Sequence, residues 1–141
     1  MFRIERLRRE ARRGSEGRVG LVHVDVKVGP ESGPHRTVRF LVDSGAAYSV
    51  LPHAVWQALG LKAVRTMDFV LADGTLIRRD VSHCFFTYQG VQAPTPVVLG
   101  ESRDEALLGT ITLEAMGLVL NPFERTLQPA RLRLAAVASP A

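Results

Sequence analysis

The sequence of 141 residues contains one cysteine, few aromatic side chains and no long apolar run. Because a disulfide needs two cysteines, the lone Cys84 excludes an internal one, and we expect a reducing, cytoplasmic location. No stretch approaches the roughly 20 apolar residues of a membrane-spanning helix, and no apolar segment follows the N-terminal charges as in a signal peptide. Aromatic residues make up only 6% and do not alternate with basic ones, which argues against an RNA-binding surface.

The length and composition indicate one soluble globular domain. A chain of this length has enough residues for one core and little to spare for a second domain. Hydrophobic residues make up 46% and charged residues 23%, which is ordinary for a soluble globular protein. The sequence contains no internal repeat, no low-complexity segment and no Gly-rich phosphate loop of known pattern.

The excess positive charge of the chain is confined to its N-terminal end. The formal net charge is +4, and residues 1–13 hold six arginines and two glutamates, which gives 6 − 2 = +4. The rest of the chain holds twelve basic and twelve acidic residues and is neutral. We therefore expect a basic N-terminal arm at residues 1–18, a folded domain at residues 19–128 and a C-terminal extension at residues 129–141.

The apolar residues of the arm have a loosely helical spacing, which is compatible with a basic amphipathic helix. These residues are Phe2, Ile4, Leu7 and Ala11. Contact with nucleic acid or with a membrane surface through residues 1–13 is the less favoured interpretation. A solvated tail is the favoured one.

Alternation of apolar and polar residues predicts β-strands along most of the chain. Valines alternate with polar residues from position 22 to position 28, and a second alternating run, TVRFLV, leads directly into Asp43. Further strands are predicted at residues 48–51, 67–72, 75–88, 95–99 and 118–120. The pair Asp73-Gly74 predicts a two-residue hairpin turn between two of these strands.

Two short helices interrupt the predicted strands. Pro52 fits the first position of a helix with the sequence HAVWQAL, and Gly60 ends it. A second helix, ITLEAM, ends at Gly117. Six or seven strands with one or two short helices predict a mainly β fold, in the form of a small, closed or nearly closed, mostly antiparallel β barrel.

Asp43 begins the segment Asp-Ser-Gly-Ala, which directly follows a predicted buried strand. The end of a strand fixes the carboxylate where it can reach a substrate without much solvent. The hydroxyl of Ser44 can hydrogen-bond locally and hold the loop. Gly45 allows a sharp turn and the close approach of another chain, and the small Ala46 keeps that approach uncrowded. Because Asp-Ser-Gly also occurs in ordinary turns, the interpretation depends on the rest of the sequence.

Three segments together resemble the retropepsin-like aspartic proteases, a family that includes retroviral and small cellular peptidases. They occur in the family's order and read FLVDSGAAYSVLP, VLADGT and ALLGTITLEAMGL. The resemblance covers residues 19–128. It implies a retropepsin-type fold, hydrolysis of a peptide or protein substrate, and a homodimer in which the second copy supplies the other Asp43.

The resemblance also implies roles for individual residues. Asp43 is implied to be catalytic, with loop support from Ser44, Gly45 and Ala46. Substrate contacts are implied for the loop residues Gly45 and Ala47 and for a flap formed by Asp73, Gly74 and Thr75. The element that packs behind the loop maps onto Leu107, Leu108 and Gly109. Retroviral members often have an acidic residue at the position of Ala47, and the basic arm has no counterpart in the family.

Hydrolysis of a peptide bond by this route needs two carboxyl groups. One carboxylate accepts a proton from water while a neighbouring carboxylic acid donates a proton to the carbonyl oxygen. Two carboxylates about 4 Å apart repel by about 4 kcal/mol at an effective dielectric constant of 20. Such a pair therefore retains one proton over a wide pH range, as is established for aspartic proteases as a class.

The other aspartates lack the sequence context of Asp43. Asp25 lies on the predicted solvated face of a strand, and Asp73 occupies a turn. The remaining aspartates have no following hydroxyl-Gly pair, and they are Asp68, Asp80 and Asp104. A symmetric homodimer is therefore the simplest source of a second carboxyl group.

His83 and Cys84 are adjacent but do not suit a metal site, because neighbouring strand residues point to opposite faces. No other metal-ligand spacing occurs, so we expect neither a metal ion nor an organic cofactor. We expect Cys84 to be a buried small apolar residue and Trp56 to belong to the core.

The sequence thus predicts an aspartic endopeptidase that activates water between two Asp43 carboxylates. The alternative is a catalytically weak or inactive module of the same fold that binds peptides or mediates dimerisation, since a fold does not establish an activity. A nucleophilic role for Ser44 is disfavoured, because the chain has no G-x-S-x-G motif and no histidine beside this serine.

Overall fold

A computed structural model describes residues 21–135, which form nine strands and two short helices. The strands are β1 (His23–Gly29), β2 (Arg36–Val42), β3 (Ser49–Leu51), β4 (Arg65–Val70), β5 (Leu76–Tyr88), β6 (Val91–Leu99), β7 (Leu107–Leu108), β8 (Leu118–Asn121) and β9 (Thr126–Pro129). The helices are α1 (His53–Leu59) and α2 (Thr110–Ala115). The predicted mainly β fold with short helices is confirmed, although the strands number nine rather than six or seven.

Six of the strands close into a ring. Hydrogen-bonded neighbours follow the order β1-β2-β7-β3-β6-β5, and β5 pairs again with β1, where Lys27 lies opposite Thr87. Strand β4 pairs with the first half of β5, and β8 and β9 form a separate two-stranded sheet. Closing the ring leaves few unpaired strand edges among its members.

The interior of the ring contains the apolar side chains that the alternation predicts. In β1, Asp25 and Lys27 are exposed, whereas the valines at positions 24, 26 and 28 are buried. Phe40 of β2 and Phe86 of β5 are fully buried, with their ring centroids 5.4 Å apart. Burial of this apolar surface is the main stabilising contribution to the fold.

Strands β4 and β5 form a hairpin whose turn differs from the predicted one. The N–H of Leu71 donates to the carbonyl oxygen of Thr75 at 2.8 Å, and the N–H of Gly74 donates to that of Leu71 at 2.9 Å. The loop therefore contains three residues rather than two. Gly74 takes the left-handed conformation (φ 83°) that ends such a loop. We call residues 71–75 the flap tip.

Strand β6 begins four residues earlier than predicted, despite Pro94 and Pro96. In this part of the strand β6 pairs only with β5, because β3 joins it at positions 97 to 99. A missing N–H on the free edge costs no hydrogen bond between strands, so both prolines are tolerated.

Helix α1 occupies the predicted segment, but Pro52 is its N-cap rather than its first residue. The helix ends at Gly60, whose left-handed conformation (φ 71°) is typical of a helix C-terminus. Trp56 is half-buried against the core, as expected, and its Nε1–H donates to the carbonyl oxygen of Gly100 at 2.8 Å.

The sequence predicted strand β8 and the turn of the β8–β9 hairpin, but not strand β9. Asn121 accepts hydrogen bonds through Oδ1 from the N–H groups of Phe123 and Glu124, both at 3.0 Å, which forms the predicted turn. Strand β9 has no clear sequence pattern, because its four residues include a proline and only Leu127 is buried. It runs one residue past the predicted domain end at position 128.

The predicted arm at residues 1–18 lies outside the described residues, as does the C-terminal part of the predicted extension. Within residues 21–135, none of the helices has the length and apolar character needed to cross a membrane.

Candidate active site

Asp43 is the first residue after β2, at the end of a buried strand. Its N–H donates to the carbonyl oxygen of Leu108 at 3.0 Å, which continues the parallel pairing of Val42 with Leu108. Because β7 lies between β2 and β3, the connection between those two strands turns at the end of β7. We call this connection, residues 43–48, the Asp43 loop. The Asp43 loop lies where the strands β2 and β7 end, and this position fixes the Asp43 carboxylate.

The two carboxylate oxygens of Asp43 have different surroundings. Oδ1 accepts a hydrogen bond from the N–H of Gly45 at 2.9 Å, and the N–H of Ala46 donates to the Asp43 carbonyl oxygen at 3.1 Å. Oδ2 is buried and has no hydrogen-bond partner among residues 21–135. Because a buried polar atom without a partner is destabilising, a partner is expected from outside the described part of the chain.

The start of α2 holds the other side of the Asp43 loop. The N–H groups of Thr110 and Ile111 donate to the carbonyl oxygens of Ala46 and Ala47 at 2.9 and 3.0 Å. A Cβ atom on Gly109 would lie 2.6 Å from the carbonyl oxygen of Ala47, which is closer than a Cβ atom normally comes to another heavy atom. Only glycine therefore allows β7 and the loop to approach this closely.

Three buried hydroxyl groups form a network below the loop. The N–H of Gly109 donates to Ser49 Oγ at 3.0 Å, and Ser49 Oγ lies 2.6 Å from Thr112 Oγ1. Thr112 Oγ1 lies 2.9 Å from Thr95 Oγ1. The network joins β3, α2 and β6 to the backbone beside the loop. The sequence patterns did not predict this network, although a hydroxyl at positions where an apolar side chain is expected was an available signal.

We predict that Thr112→Val lowers the free energy of unfolding by about 1–3 kcal/mol, because it removes the central hydroxyl and with it one hydrogen bond to each of two buried neighbours. Valine keeps the side-chain shape, so the loss reports the hydrogen bonds. Urea denaturation measures it. Thr37→Val is the matched control, since Thr37 is exposed on β2. Equal, small changes in both variants would contradict the proposed importance of the network.

A cleft with a volume of about 300 Å³ separates the Asp43 loop from the β4–β5 hairpin. The predicted substrate-contacting residues Gly45 and Ala47 line it, together with Ala46. Leu107 also lines it, whereas Leu108 is fully buried behind the loop.

The predicted flap residues Asp73, Gly74 and Thr75 lie in the turn of the β4–β5 hairpin, next to the part of the hairpin that lines the cleft. Asp73 Oδ1 accepts a hydrogen bond from the N–H of Thr75 at 3.0 Å, which stabilises the turn around Gly74. The hairpin residues that line the cleft include Phe69 and Ile77. Neither residue was predicted to line the site, because a strand pattern does not show which loop the inner face of the strand will contact.

Ser44 is exposed on the other side of the loop. It lines a second groove of about 500 Å³, whose apolar wall comes mainly from β8 and from the segment that follows β9. Four large apolar residues of this region are exposed. They are Val119, Phe123, Leu132 and Leu134, with exposed fractions of 48%, 86%, 55% and 76%.

Each of the other aspartates among residues 21–135 lies in an environment different from that of Asp43. Asp25 is exposed on β1, and Asp73 is part of the flap tip. Asp80 accepts a hydrogen bond from Thr66 at 2.8 Å. Asp68 accepts one from Arg78 Nε at 2.9 Å, and this hydrogen bond, followed by the arginine charge, lowers the pKa of Asp68. Asp104 is buried and accepts a hydrogen bond from Arg79 Nε at 3.1 Å.

His83 and Cys84 lie on opposite faces of β5, as predicted, with His83 exposed and Cys84 buried. The thiol lies 3.5 Å from the carbonyl oxygen of Gly29. Burial raises the pKa of Cys84 to about 11, so the thiol is protonated at neutral pH. Cys84 therefore has the environment of the small apolar residue that was expected.

Several solved structures are similar to this chain. The EIAV protease complexed with the inhibitor HBY-793 has a TM-score of 0.52 at 18% identity, over 79% of this chain and 91% of that chain. The retroviral protease-like domain of Ddi1 from Leishmania major has a TM-score of 0.51 at 14% identity, over 82% of this chain and 92% of that one. A retropepsin-like aspartic protease from Rickettsia conorii has a TM-score of 0.49 at 22% identity, over 72% and 77% of the two chains.

The ring of strands and its similarity to the first two structures define a retropepsin-type fold. A sequence model of the family described as aspartyl protease matches residues 24–112, more than half of the chain. The protein therefore belongs to the aspartyl protease family, and the predicted resemblance to retropepsin-like proteases is confirmed. No curated protein gives a significant match to the sequence.

Proposed function

We propose that this protein is an aspartic endopeptidase and that two copies of the chain, each supplying one Asp43, form its active site. Membership of the aspartyl protease family supports the activity. The observation that carries the proposal is the environment of Asp43. The Gly45 N–H holds one carboxylate oxygen at the end of a strand, while the other oxygen has no partner among residues 21–135.

A second copy is the proposed source of the second carboxyl group, because every other aspartate of residues 21–135 lies in a different structural context. Asp68 is hydrogen-bonded to Arg78, and Asp104 to Arg79. None of these aspartates follows a strand into a loop like the Asp43 loop. A two-fold axis beside the loop would place two identical carboxyl groups together.

The surface next to Ser44 is the proposed contact between the two copies. Its apolar groove adjoins the Asp43 loop, and exposed side chains such as Phe123 and Leu134 flank the same region. Exposed apolar surface of this kind commonly marks an interaction site. A copy that covers it also brings its own Asp43 near the axis, which suits the proposed chemistry.

In the proposed reaction, the oxygen of a water molecule attacks the carbonyl carbon of the peptide bond. The carboxylate of one Asp43 accepts a proton from this water, and the protonated Asp43 of the other copy donates its proton to the carbonyl oxygen. The Asp43 that accepted the proton from water then donates it to the nitrogen as the carbon–nitrogen bond breaks, and one hydroxyl of the intermediate gives a proton back to the other Asp43. The products are a carboxylic acid and an amine. No covalent enzyme intermediate, metal ion or organic cofactor takes part in these steps.

The substrate is proposed to lie extended between the two copies. Its backbone would hydrogen-bond near Gly45 and Ala47 and pass beneath the flap tips with Asp73, Gly74 and Thr75. The cytoplasmic location and the roles of the terminal segments stay predictions.

Mixing of subunits tests whether both copies are needed. Wild-type chain and the Asp43→Asn variant are co-expressed with different tags, and their ratio is measured by mass spectrometry. If only dimers with two intact Asp43 residues are active, an equal mixture at constant total protein keeps roughly a quarter of the wild-type activity. Independent active chains would keep half.

Asp25→Asn is the matched diluting variant, since Asp25 is exposed on β1 away from the loop. Mixtures of it with the wild type are expected to keep full activity. Activity that falls in direct proportion to the wild-type fraction in the Asp43→Asn mixtures would contradict the shared active site.

A further inference from the structure

A continuous chain of hydrogen bonds runs from the backbone of Asp43 to strand β6. It begins where the N–H of Asp43 donates to the carbonyl oxygen of Leu108 at 3.0 Å. The N–H of Gly109 belongs to the same peptide unit as that carbonyl group, and it donates to Ser49 Oγ at 3.0 Å. Because a peptide unit is rigid and planar, a shift of its N–H also shifts the carbonyl oxygen that accepts from Asp43. The buried hydroxyl groups are therefore connected directly to the candidate catalytic residue.

The two ends of the chain determine the direction of its hydroxyl groups. Ser49 Oγ lies 2.6 Å from Thr112 Oγ1, which lies 2.9 Å from Thr95 Oγ1. Thr95 Oγ1 then donates to the carbonyl oxygen of Pro96 at 3.4 Å. An N–H group can only donate and a carbonyl oxygen can only accept, so each hydroxyl accepts from the Gly109 side and donates towards Pro96. Hydrogen bonds that follow one another in this order polarise and strengthen each other.

The burial of the three hydroxyl groups indicates that they do more than fill the core. Ser49 and Thr112 are 0% exposed, and Thr95 is 2% exposed. Alanine and valine would fill these positions without burying a polar group. Apolar packing has no direction, however, so it orients a peptide unit less sharply than a fully satisfied network of hydrogen bonds does. The chain supplies this orientation at the peptide unit that holds the Asp43 backbone.

We propose that the three hydroxyl residues of this chain position Asp43 for catalysis. They are Ser49, Thr95 and Thr112. By orienting the Leu108–Gly109 peptide unit, they hold the Asp43 backbone where the two carboxyl groups of the dimer can share a proton. The inference rests on the proposed endopeptidase function, and it assigns positioning roles to residues outside the Asp-Ser-Gly-Ala motif. A small shift of the peptide unit is sufficient, because a displacement of about 1 Å can lower a catalytic rate by about 10²-fold.

Two substitutions of Thr112 separate positioning from stability. Thr112→Val keeps the shape of the side chain and interrupts the chain of hydrogen bonds, whereas Thr112→Ser keeps the hydroxyl and loses a buried methyl group. Both are expected to lower the melting temperature. Only Thr112→Val is expected to lower kcat, by about 10-fold, with KM unchanged. Both constants are measured with a library peptide that the wild type cleaves, at a temperature at which every variant is folded.

Ser49→Ala removes the hydroxyl that accepts from the Gly109 N–H, and it is expected to lower kcat by about 10²-fold. Thr37→Val is the matched control, because Thr37 is exposed on β2, and it is expected to leave kcat unchanged. An equal loss of kcat in Thr112→Val and Thr112→Ser would overturn the inference, since the loss would then follow packing rather than the hydroxyl. Wild-type kcat in both of these variants would overturn it as well.

Amide hydrogen exchange tests the same chain without any need for activity. The Gly100 N–H is the reference, because it donates to the carbonyl oxygen of Leu51 at 2.9 Å, outside the chain. The exchange rate of the Asp43 N–H relative to this reference is expected to rise by about 10-fold in Ser49→Ala and to stay at the wild-type value in Thr37→Val.

The two measurements distinguish a failure of this inference from a failure of the proposed function. Cleavage by the wild type, with kcat and relative exchange unchanged in the hydroxyl variants, would overturn the inference and leave the endopeptidase standing. No cleavage by the wild type, with faster relative exchange at Asp43 in Ser49→Ala, would overturn the endopeptidase and still support the chain as the structure that holds Asp43.

Discussion

Asp43→Asn is expected to lower kcat/KM for peptide cleavage by about 10²–10⁴-fold, the contribution usual for general acid–base catalysis. Asparagine has nearly the same shape as aspartate, and its amide oxygen can still accept the hydrogen bond from Gly45 that now reaches Oδ1. It cannot accept a proton from water or return one to the substrate. The substitution therefore removes the acid–base function of residue 43 and preserves the geometry of the loop.

The measurement is turnover of a mixed peptide library at about pH 4 to 6, where a pair of carboxyl groups shares one proton. Thermal unfolding of the variant is followed in parallel. The melting temperature is expected to stay the same or to rise, because the substitution replaces a buried carboxylate oxygen that has no partner among the described residues.

Asp25→Asn is the control that removes one exposed carboxylate and keeps Asp43. It is expected to leave turnover unchanged. Cleavage that survives Asp43→Asn would remove Asp43 from the mechanism. Peptide binding by the wild type without any turnover would favour the alternative of a non-catalytic module with this fold.

Local sequence patterns were sufficient to predict the parts of the fold that neighbouring residues determine. Alternating valines predicted β1 correctly, and the run before Asp43 placed that residue at the end of a strand. Pro52 and Gly60 marked the limits of α1 to within one residue. The alternation reflects burial of one face of a strand, and the proline and glycine signals reflect backbone preferences. All of these signals act within a few positions.

Features that depend on contacts between distant segments could not be predicted in this way. Tyr48 and Phe69 are 21 positions apart, and only the folded hairpin brings their rings together. Ser49 and Thr112 are 63 positions apart, and the local sequence around each residue does not indicate the other as its partner. Strand β9 has only a weak pattern, because it is stabilised by pairing with β8 rather than by burial of a whole face.

The pair formed by Arg79 and Asp104 is a further contact between distant segments. Arg79 lies on β5, and Asp104 lies in the loop that precedes β7, so their contact joins the hairpin to the segment leading into the Asp43 site. The side chains have exposed fractions of only 6% and 0%. Asp104 Oδ2 also accepts a hydrogen bond from the N–H of Glu101 at 2.8 Å, which orders the loop.

Asp104→Ala is therefore expected to lower the free energy of unfolding by about 3–5 kcal/mol, because it leaves the buried guanidinium of Arg79 without its main counter-charge. Since a domain of this size has a total stability of about 5–15 kcal/mol, the effect is severe. The double substitution Arg79→Met with Asp104→Leu removes both charges and is expected to recover most of the loss.

Urea denaturation of the single and double variants measures both effects, and the exposed pair of Asp68 and Arg78 on the same hairpin provides the control. Its side chains are 53% and 73% exposed, so Asp68→Ala is expected to change stability very little, since water solvates the remaining charge. If Asp104→Ala were as mild as Asp68→Ala, the buried pair would not be what fixes the hairpin to the loop before β7. If the double variant were as unstable as Asp104→Ala alone, the loss would come from packing rather than from an unpaired charge.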